Sequence, residues 1–212
     1  MWDVLARAAV LLIILPIHEA AHAFAAEKLG DPTPRGMGRL TLNPLKHLDV
    51  LGSMMLLVMG FGWAKPVPVD PRNFRHPRRD MAIVAAAGPL SNIALAFMAV
   101  AAMKLVFYTT GLHPQTDALP GILRLIMRIS VVLAVFNLLP IPPLDGSRIL
   151  GLFLPGAMYY FVMRYERIMM FALLALMWLG YLRGPIGFLT GHAEAFLYKI
   201  TEPIDYLFLL LR

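Results

Sequence analysis

Long apolar runs separated by short polar stretches dominate this chain. Three of them, at about 4–29, 81–108 and 122–139, are long enough to cross a bilayer as helices of roughly 20 residues. A shorter run at about 168–181 predicts a fourth span, and the tail at 192–212 predicts an interfacial helix or a short span. The pattern therefore predicts an all-α polytopic membrane protein with a three-span core and additional C-terminal spans.

Two shorter segments do not fit a spanning helix. Residues 50–62, VLGSMMLLVMGFG, are apolar but too short to cross a bilayer comfortably, which favours a re-entrant segment. Residues 63–69, WAKPVPV, predict an extended strand whose prolines confine it to a sheet edge. Together they predict a small membrane-associated β-hairpin. Its edge would either bind an unwound substrate by β-addition or simply plug the membrane face of the protein.

Composition supports one membrane domain and narrows the chemistry. Of the 212 residues, 59% are hydrophobic and 15% are charged, well below the roughly 25% of charged residues in soluble domains. We expect a single domain over 1–212, with a core at about 4–155 and C-terminal helices at about 156–212. The net charge of +6 is typical of basic cytoplasmic loops and does not require nucleic acid. Because cysteine is absent, any transition metal must be held by His, Asp or Glu.

The first apolar run contains the sequence HEAAH at residues 18–22. Positions four apart share one face of a helix, so His18 and His22 can reach one metal ion. Glu19, next to them, is placed to take a proton from an attacking water. Ionisable residues at bilayer depth are a functional hypothesis by default. The alternatives are a chance match, or an amphipathic helix whose polar stripe faces water.

A third metal ligand is needed for a catalytic site of this kind. Of the 13 acidic residues, only Glu19 and Asp145 have apolar sequence on both sides. Two histidines and one carboxylate form a familiar zinc set that leaves a position for water. Asp145 also follows a double proline, so a helix cap after a turn is the alternative reading. Three other residues are weaker candidates for the ligand: Glu27, His47 and Asp49.

Two asparagines inside apolar runs are candidates for contact with substrate. The tetrahedral intermediate of peptide hydrolysis requires donors for its oxyanion, and the amides of Asn92 and Asn137 could provide them. Interhelical hydrogen bonds are the alternative role for small polar residues in membrane helices.

The distribution of basic residues predicts an orientation. Loops 30–49 and 65–80 are basic and are expected in the cytoplasm, whereas loop 109–120 contains no Lys or Arg and is expected outside. The first span then runs inward, with HEAAH toward its cytoplasmic end. Arg124 and Arg128, near the outer end of the third span, run against this rule.

Five segments, in this order, resemble the site-2 protease family of intramembrane zinc metalloproteases: HEAAHAFAAEKLGD, GRLTLNPLKHLDVLG, FGWAKPVPVD, AGPLSNIALA and FNLLPIPPLDGSRIL. The resemblance covers roughly residues 10–150. It implies a three-span core in which His18, His22 and Asp145 hold Zn²⁺ and Glu19 is the general base. No PDZ or CBS sequence is recognised, so we expect a short form without those regulatory domains.

The sequence therefore predicts an intramembrane zinc endopeptidase that cleaves in or near the transmembrane segments of other proteins. Its expected partners are a single-span substrate and the lipid bilayer, with no nucleic acid and with homo-oligomer formation left open. Short loops favour a prokaryotic inner membrane, with the active site toward the cytoplasm. Two alternatives remain: a divalent-metal transporter, and an inactive relative that only binds membrane partners.

Overall fold

The structure is a computed structural model that describes residues 2–59 and 62–210, and 77% of it is helix. Within these ranges no strand is present, and the single β-type contact is an isolated antiparallel bridge between Leu48 and Ala64. The helices, in order, are α1 (Trp2–Ala9), α2 (Leu15–Lys28), α3 (Thr33–Gly36), α4 (Pro44–His47), α5 (Val50–Met59), α6 (Pro77–Thr110), α7 (Ala118–Leu138), α8 (Asp145–Gly151), α9 (Gly156–Arg164), α10 (Glu166–Trp178), α11 (Arg183–Ile200) and α12 (Glu202–Leu210).

Three helical segments are long and apolar enough to cross a membrane: Val4–Lys28, Pro77–Thr110 and Ala118–Leu138. The first of them joins α1 to α2 through a π-helical turn at Val10–Ile14. Pro16 follows this turn, and because proline has no N–H to donate, the regular i−4 ladder cannot be continuous there. The three predicted core spans are thus confirmed to within a few residues.

Helix α6 lies at the centre of the bundle and packs against α2, α7, α8 and α11. Its small residues allow close approach of neighbouring helices, as is common between membrane helices. The buried cluster where α6, α7 and α11 meet consists of Ala96, Ala99, Val100, Met127, Val131 and Leu197.

The predicted fourth span differs from a single straight helix. Helices α10 and α11–α12 together pass the length and hydropathy test for one span, but they meet at an angle of 84°. Polar contacts hold this region to the core. Lys104 of α6 pairs with Asp205 of α12, and Arg148 of α8 donates two hydrogen bonds of 2.9 and 3.0 Å to Glu166 of α10.

The predicted β-hairpin is wrong for the described residues. Helix α5 occupies most of the predicted re-entrant stretch, and residues 60 and 61 lie outside the described ranges. The segment after it is extended but has no partner strand beyond Ala64. Pro66 and Pro68 lack the N–H groups of a ladder, and the carbonyls of Lys65 and Pro66 accept hydrogen bonds from the side chain of Arg39. The backbone carbonyls that an added strand would need at this edge are therefore already hydrogen-bonded to Arg39.

A buried carboxylate joins the end of α2 to this extended segment. Asp31 is fully buried and accepts hydrogen bonds from the main-chain N–H of Thr33 at 3.0 Å, the Asn73 amide at 2.7 Å and the main-chain N–H of Asp70 at 2.8 Å. Burial alone would raise the pKa of Asp31, but these bonds stabilise the carboxylate and the pKa is lowered from its ordinary value.

We predict that Asp31 contributes acid-sensitive stability. Because its folded-state pKa is lower than its unfolded value, the contribution is present above about pH 4 and is lost as pH falls through the folded pKa. Asp31→Asn should lower the free energy of unfolding by about 2 kcal/mol at pH 7. Thermal unfolding in detergent should show this difference shrinking when both proteins are measured near pH 3. An equal difference at both pH values would contradict the prediction.

Candidate metal centre

The three predicted ligands come together at one point in the bundle. Helix α2 presents His18 and His22 one turn apart, and Asp145 at the start of α8 faces both of them. The Nε2 atoms of His18 and His22 lie 3.0 Å apart, and they lie 3.3 and 3.4 Å from Asp145 Oδ2. In the described part of the chain, these three side chains form the group that could hold a metal ion.

The hydrogen bond of His22 fixes which of its nitrogens faces the centre. Its Nδ1 lies 2.7 Å from the main-chain oxygen of Val84, which can only accept, so Nδ1 carries the hydrogen. In the neutral ring, Nε2 then presents a lone pair toward His18 and Asp145. A metal-binding histidine commonly has this arrangement, in which the outer nitrogen donates to a carbonyl oxygen.

Asn92 of α6 contacts the outer nitrogen of His18, as the Val84 carbonyl contacts that of His22. Its amide nitrogen lies 3.2 Å from His18 Nδ1, and its Oδ1 is buried without a partner among the described residues. A 180° turn of the amide exchanges the two atoms. Oδ1 then accepts from Nδ1–H of His18, and the Nε2 lone pair of His18 points at the centre. That orientation gives His18 Nδ1–H an acceptor and turns the amide nitrogen of Asn92 toward the position where no partner is described.

These three acceptor atoms make a site that suits a cation. Two lone pairs and a carboxylate oxygen converge within 3.4 Å, and Asp145 Oδ2 is buried and accepts no hydrogen bond from the described residues. Ligands about 2.0–2.1 Å from a tetrahedral zinc ion are roughly 3.3 Å apart. The observed separations of 3.0 to 3.4 Å fit that arrangement without large movement.

Glycines allow the helices that form the site to approach one another. A Cβ on Gly88 of α6 would lie well inside van der Waals contact of the His18 and His22 rings. A Cβ on Gly146 would similarly overlap the carbonyl of Leu138 at the end of α7, so this glycine lets α8 begin beside that helix. Neither role was predicted, because the spacing of glycines does not reveal which rings lie opposite them.

Glu19 lies beside the centre without joining it. Its side chain is buried, with 8% of the residue exposed, and Oε2 accepts a hydrogen bond of 3.1 Å from the main-chain N–H of Val67. The donor belongs to the extended segment between Pro66 and Pro68. The carboxylate is thus fixed next to the imidazoles by a group that sequence spacing does not reveal.

The weaker ligand candidates have other partners. Glu27 forms an ion pair of 2.8 Å with Arg35, and Asp49 accepts a 2.8 Å hydrogen bond from an amide near the start of α5. His47 is fully buried, with its Nε2 2.7 Å from a main-chain carbonyl oxygen. None of these residues belongs to the three-ligand group.

Of the two asparagines, Asn92 contacts the three-residue group, through His18, and Asn137 does not. The Asn137 amide donates to the carbonyl of Leu133, one turn earlier in α7, at 3.0 Å. Contact of either asparagine with an oxyanion stays a prediction.

Comparison with known proteins agrees with this geometry. The family model described as "Peptidase family M50" matches residues 6–119 and 113–180. "Putative zinc metalloprotease YwhC" of Bacillus subtilis is 44% identical over 142 residues, covering 66% of this chain and 65% of that protein. "Putative zinc metalloprotease Rip2" of Mycobacterium tuberculosis is 36% identical over 141 residues, covering 64% of this chain and 52% of that protein.

The chain thus spans between about half and two thirds of the length of these relatives. No solved structure shows significant similarity to it. The family model covers most of the chain, and the residues that resemble site-2 proteases are those that form the centre. The chain is therefore a multi-pass membrane protein that belongs to peptidase family M50, the site-2 protease family.

Proposed function

We propose that this protein is an intramembrane zinc endopeptidase. The observation that carries the proposal is the convergence of His18, His22 and Asp145 beside the Glu19 carboxylate, on helices apolar enough to cross a membrane. The metal-binding group alone would also suit a transporter. A carboxylate held next to the ligands without being one of them favours hydrolysis, because zinc binding does not require it.

The ligand residues fit zinc by donor type and spacing. His18 and His22 would bind through Nε2, and Asp145 through Oδ2. A bound zinc ion supplies a Lewis acid that polarises the peptide carbonyl and makes a water molecule more acidic. Val84 and Asn92 orient the two rings from the outside by holding their Nδ1 atoms.

Glu19 is the proposed general base. Its carboxylate takes a proton from the attacking water and later delivers it to the leaving amine. The amide of Val67 holds one oxygen of this carboxylate, which limits its rotation and keeps the other oxygen free to accept the proton. Asn92 and Asn137 remain the proposed side-chain donors to the oxyanion, although the first of them is engaged by His18 in this structure.

The proposed substrate is a single-span membrane protein. A helical peptide bond is shielded by its own hydrogen bonds, so the substrate must unwind locally before a carbonyl can reach the centre. By the distribution of basic loops, we propose that the site lies toward the cytoplasmic face of a prokaryotic inner membrane. Met54 and Leu57, on the exposed face of α5, are available to contact such a segment from the side.

We predict that the zinc content of two variants distinguishes the role of Glu19 from that of Asp145. Glu19→Gln should lower kcat by roughly 10²- to 10⁴-fold while zinc is retained, because it removes the base but no ligand. Asp145→Ala should lose zinc. The measurement is cleavage of a panel of single-span peptides in liposomes, with zinc determined on every sample.

Glu27→Gln is the matched control, since Glu27 lies on the same helix but pairs with Arg35. It should keep both zinc and cleavage. Full zinc in Asp145→Ala would refute the ligand assignment, and unchanged cleavage in Glu19→Gln would refute the mechanism. Stoichiometric zinc with no cleavage in the wild type would favour a transporter or an inactive relative.

Gly88→Ala should weaken zinc binding by roughly 10-fold or more, because the added Cβ displaces both imidazole rings. Alanine normally stabilises a helix relative to glycine, so the loss would not come from helix propensity. Gly191→Ala in α11 is the control, since nothing lies within 4 Å of a Cβ there. Competition with a chromogenic chelator measures the affinity. Equal affinities in the two variants would show that α6 does not pack against the rings as described.

Asn92→Ala separates the two roles of this asparagine. If its amide orients His18, zinc affinity should fall by roughly 10- to 100-fold. A role only in oxyanion binding would leave zinc affinity unchanged and lower kcat. We expect the first result, and chelator competition alongside peptide cleavage distinguishes them.

A further inference from the structure

A buried arginine lies behind the segment that contacts Glu19. Arg39, in the loop between α3 and α4, has only 4% of its surface exposed. Its guanidinium donates to three main-chain carbonyls: those of Lys46, Lys65 and Pro66, the last at 2.7 Å. One side chain therefore links the extended segment to helix α4.

Arg39 is connected to Glu19 through the backbone next to Val67. Arg39 binds the two carbonyls that come immediately before the Val67 amide, and that amide donates to Glu19 Oε2 at 3.1 Å. Pro66 and Pro68 have no N–H, so Val67 is the only donor of its tripeptide. The conformation of a residue before proline is also restricted to extended forms. Fixing the Lys65 and Pro66 carbonyls therefore also fixes the direction of the Val67 N–H bond.

Electrostatics supports the same connection. Arginine stays charged in proteins, and an unpaired buried charge is strongly unfavourable. Burial lowers the pKa of Arg39, and the negative charge of Glu19 opposes that shift. Within the described residues, the Arg39 guanidinium reaches Glu19 through the segment and makes no hydrogen bond to its carboxylate.

We propose that Arg39 is a positioning residue that holds the Val67 amide against Glu19 and thereby fixes the general base. The inference rests on the proposed function for its kinetic consequence. The fixing of the segment itself is independent of catalysis and can be measured separately.

Amide hydrogen exchange tests the structural part in the full-length protein. In a peptide covering 64–69, only Ala64, Lys65, Val67 and Val69 carry an N–H. Arg39→Met should speed exchange of this peptide by roughly 10-fold or more, because the hydrogen bonds that order it are lost. Arg35→Met is the matched control: Arg35 lies in the preceding turn, has an exposed side chain and forms an ion pair with Glu27. Unchanged exchange in Arg39→Met would overturn the proposal.

A second pair of variants isolates the Val67 donor. Val67→Pro removes the N–H, whereas Val67→Ala keeps it and shortens the side chain. Glu19→Ala should speed exchange of the Val67 amide alone, because it removes the acceptor. These variants also keep the proposal testable if Arg39→Met fails to fold.

The kinetic part is measured on a single-span peptide that the wild type cleaves. Arg39→Met and Val67→Pro should each lower kcat by roughly 10- to 100-fold, the effect of misplacing a catalytic group by about 1 Å. KM should stay within about twofold, and zinc content should be unchanged. Arg39→Lys should recover part of kcat, and Val67→Ala, which keeps the N–H, should lose less of kcat than Val67→Pro. The double variant Arg39→Met/Val67→Pro should be no worse than the poorer single variant, because both act on one hydrogen bond.

The possible failures are distinguishable. If the wild type cleaves nothing, the proposed function fails and the exchange measurements still decide whether Arg39 fixes the segment. If the wild type is active but Arg39→Met keeps its kcat, Arg39 is not a positioning residue. A raised KM with unchanged kcat would also overturn the proposal and assign Arg39 to substrate binding.

Discussion

Two imidazole nitrogens and a carboxylate oxygen face one another across 3.0 to 3.4 Å, and the rest of the structure is arranged around this contact. Both imidazoles are largely buried, and such acceptors repel unless a cation or protons lie between them. The Nδ1–H of His22 is committed to the Val84 carbonyl, and an amide turn lets Asn92 engage His18 in the same way. The polar groups outside the rings therefore determine what the inner atoms can bind.

Helix α6 makes this possible by presenting three consecutive turns of one face to α2. Val84, Gly88 and Asn92 are spaced four residues apart, which matches the one-turn spacing of the two histidines. The outer two positions hold the rings, and the glycine between them leaves room for both. Asp145 then reaches the rings because α8 packs on the same helix. The site thus depends on helix packing, and the three residues that could hold a metal ion are only its innermost part.

Sequence alone predicted which three side chains converge, but not what supports them. Ionisable residues inside apolar runs are conspicuous, so Glu19 and Asp145 could be identified from their surroundings, as could the three core spans from their length. In the sequence, Gly88 looks like any small residue of a packed membrane helix, and nothing in the sequence indicates the role of the Val84 carbonyl. The hairpin was predicted wrongly because extended, proline-rich sequence was taken for a strand, whereas Arg39 takes the carbonyls that a partner strand would need.

The hydrogen bonding of Glu19 explains why such an irregular segment lies beside this carboxylate. A carboxylate with little exposure to water needs a donor, and a helix cannot supply one from its own ladder because its interior N–H groups are already bonded. An extended segment has free N–H groups, but several of them would compete for the same oxygens. Prolines on both sides of Val67 leave a single donor, and the Arg39 guanidinium orders the carbonyls before it. The irregular backbone thus provides a directed hydrogen bond that neither a regular helix nor a strand pair would provide at this point.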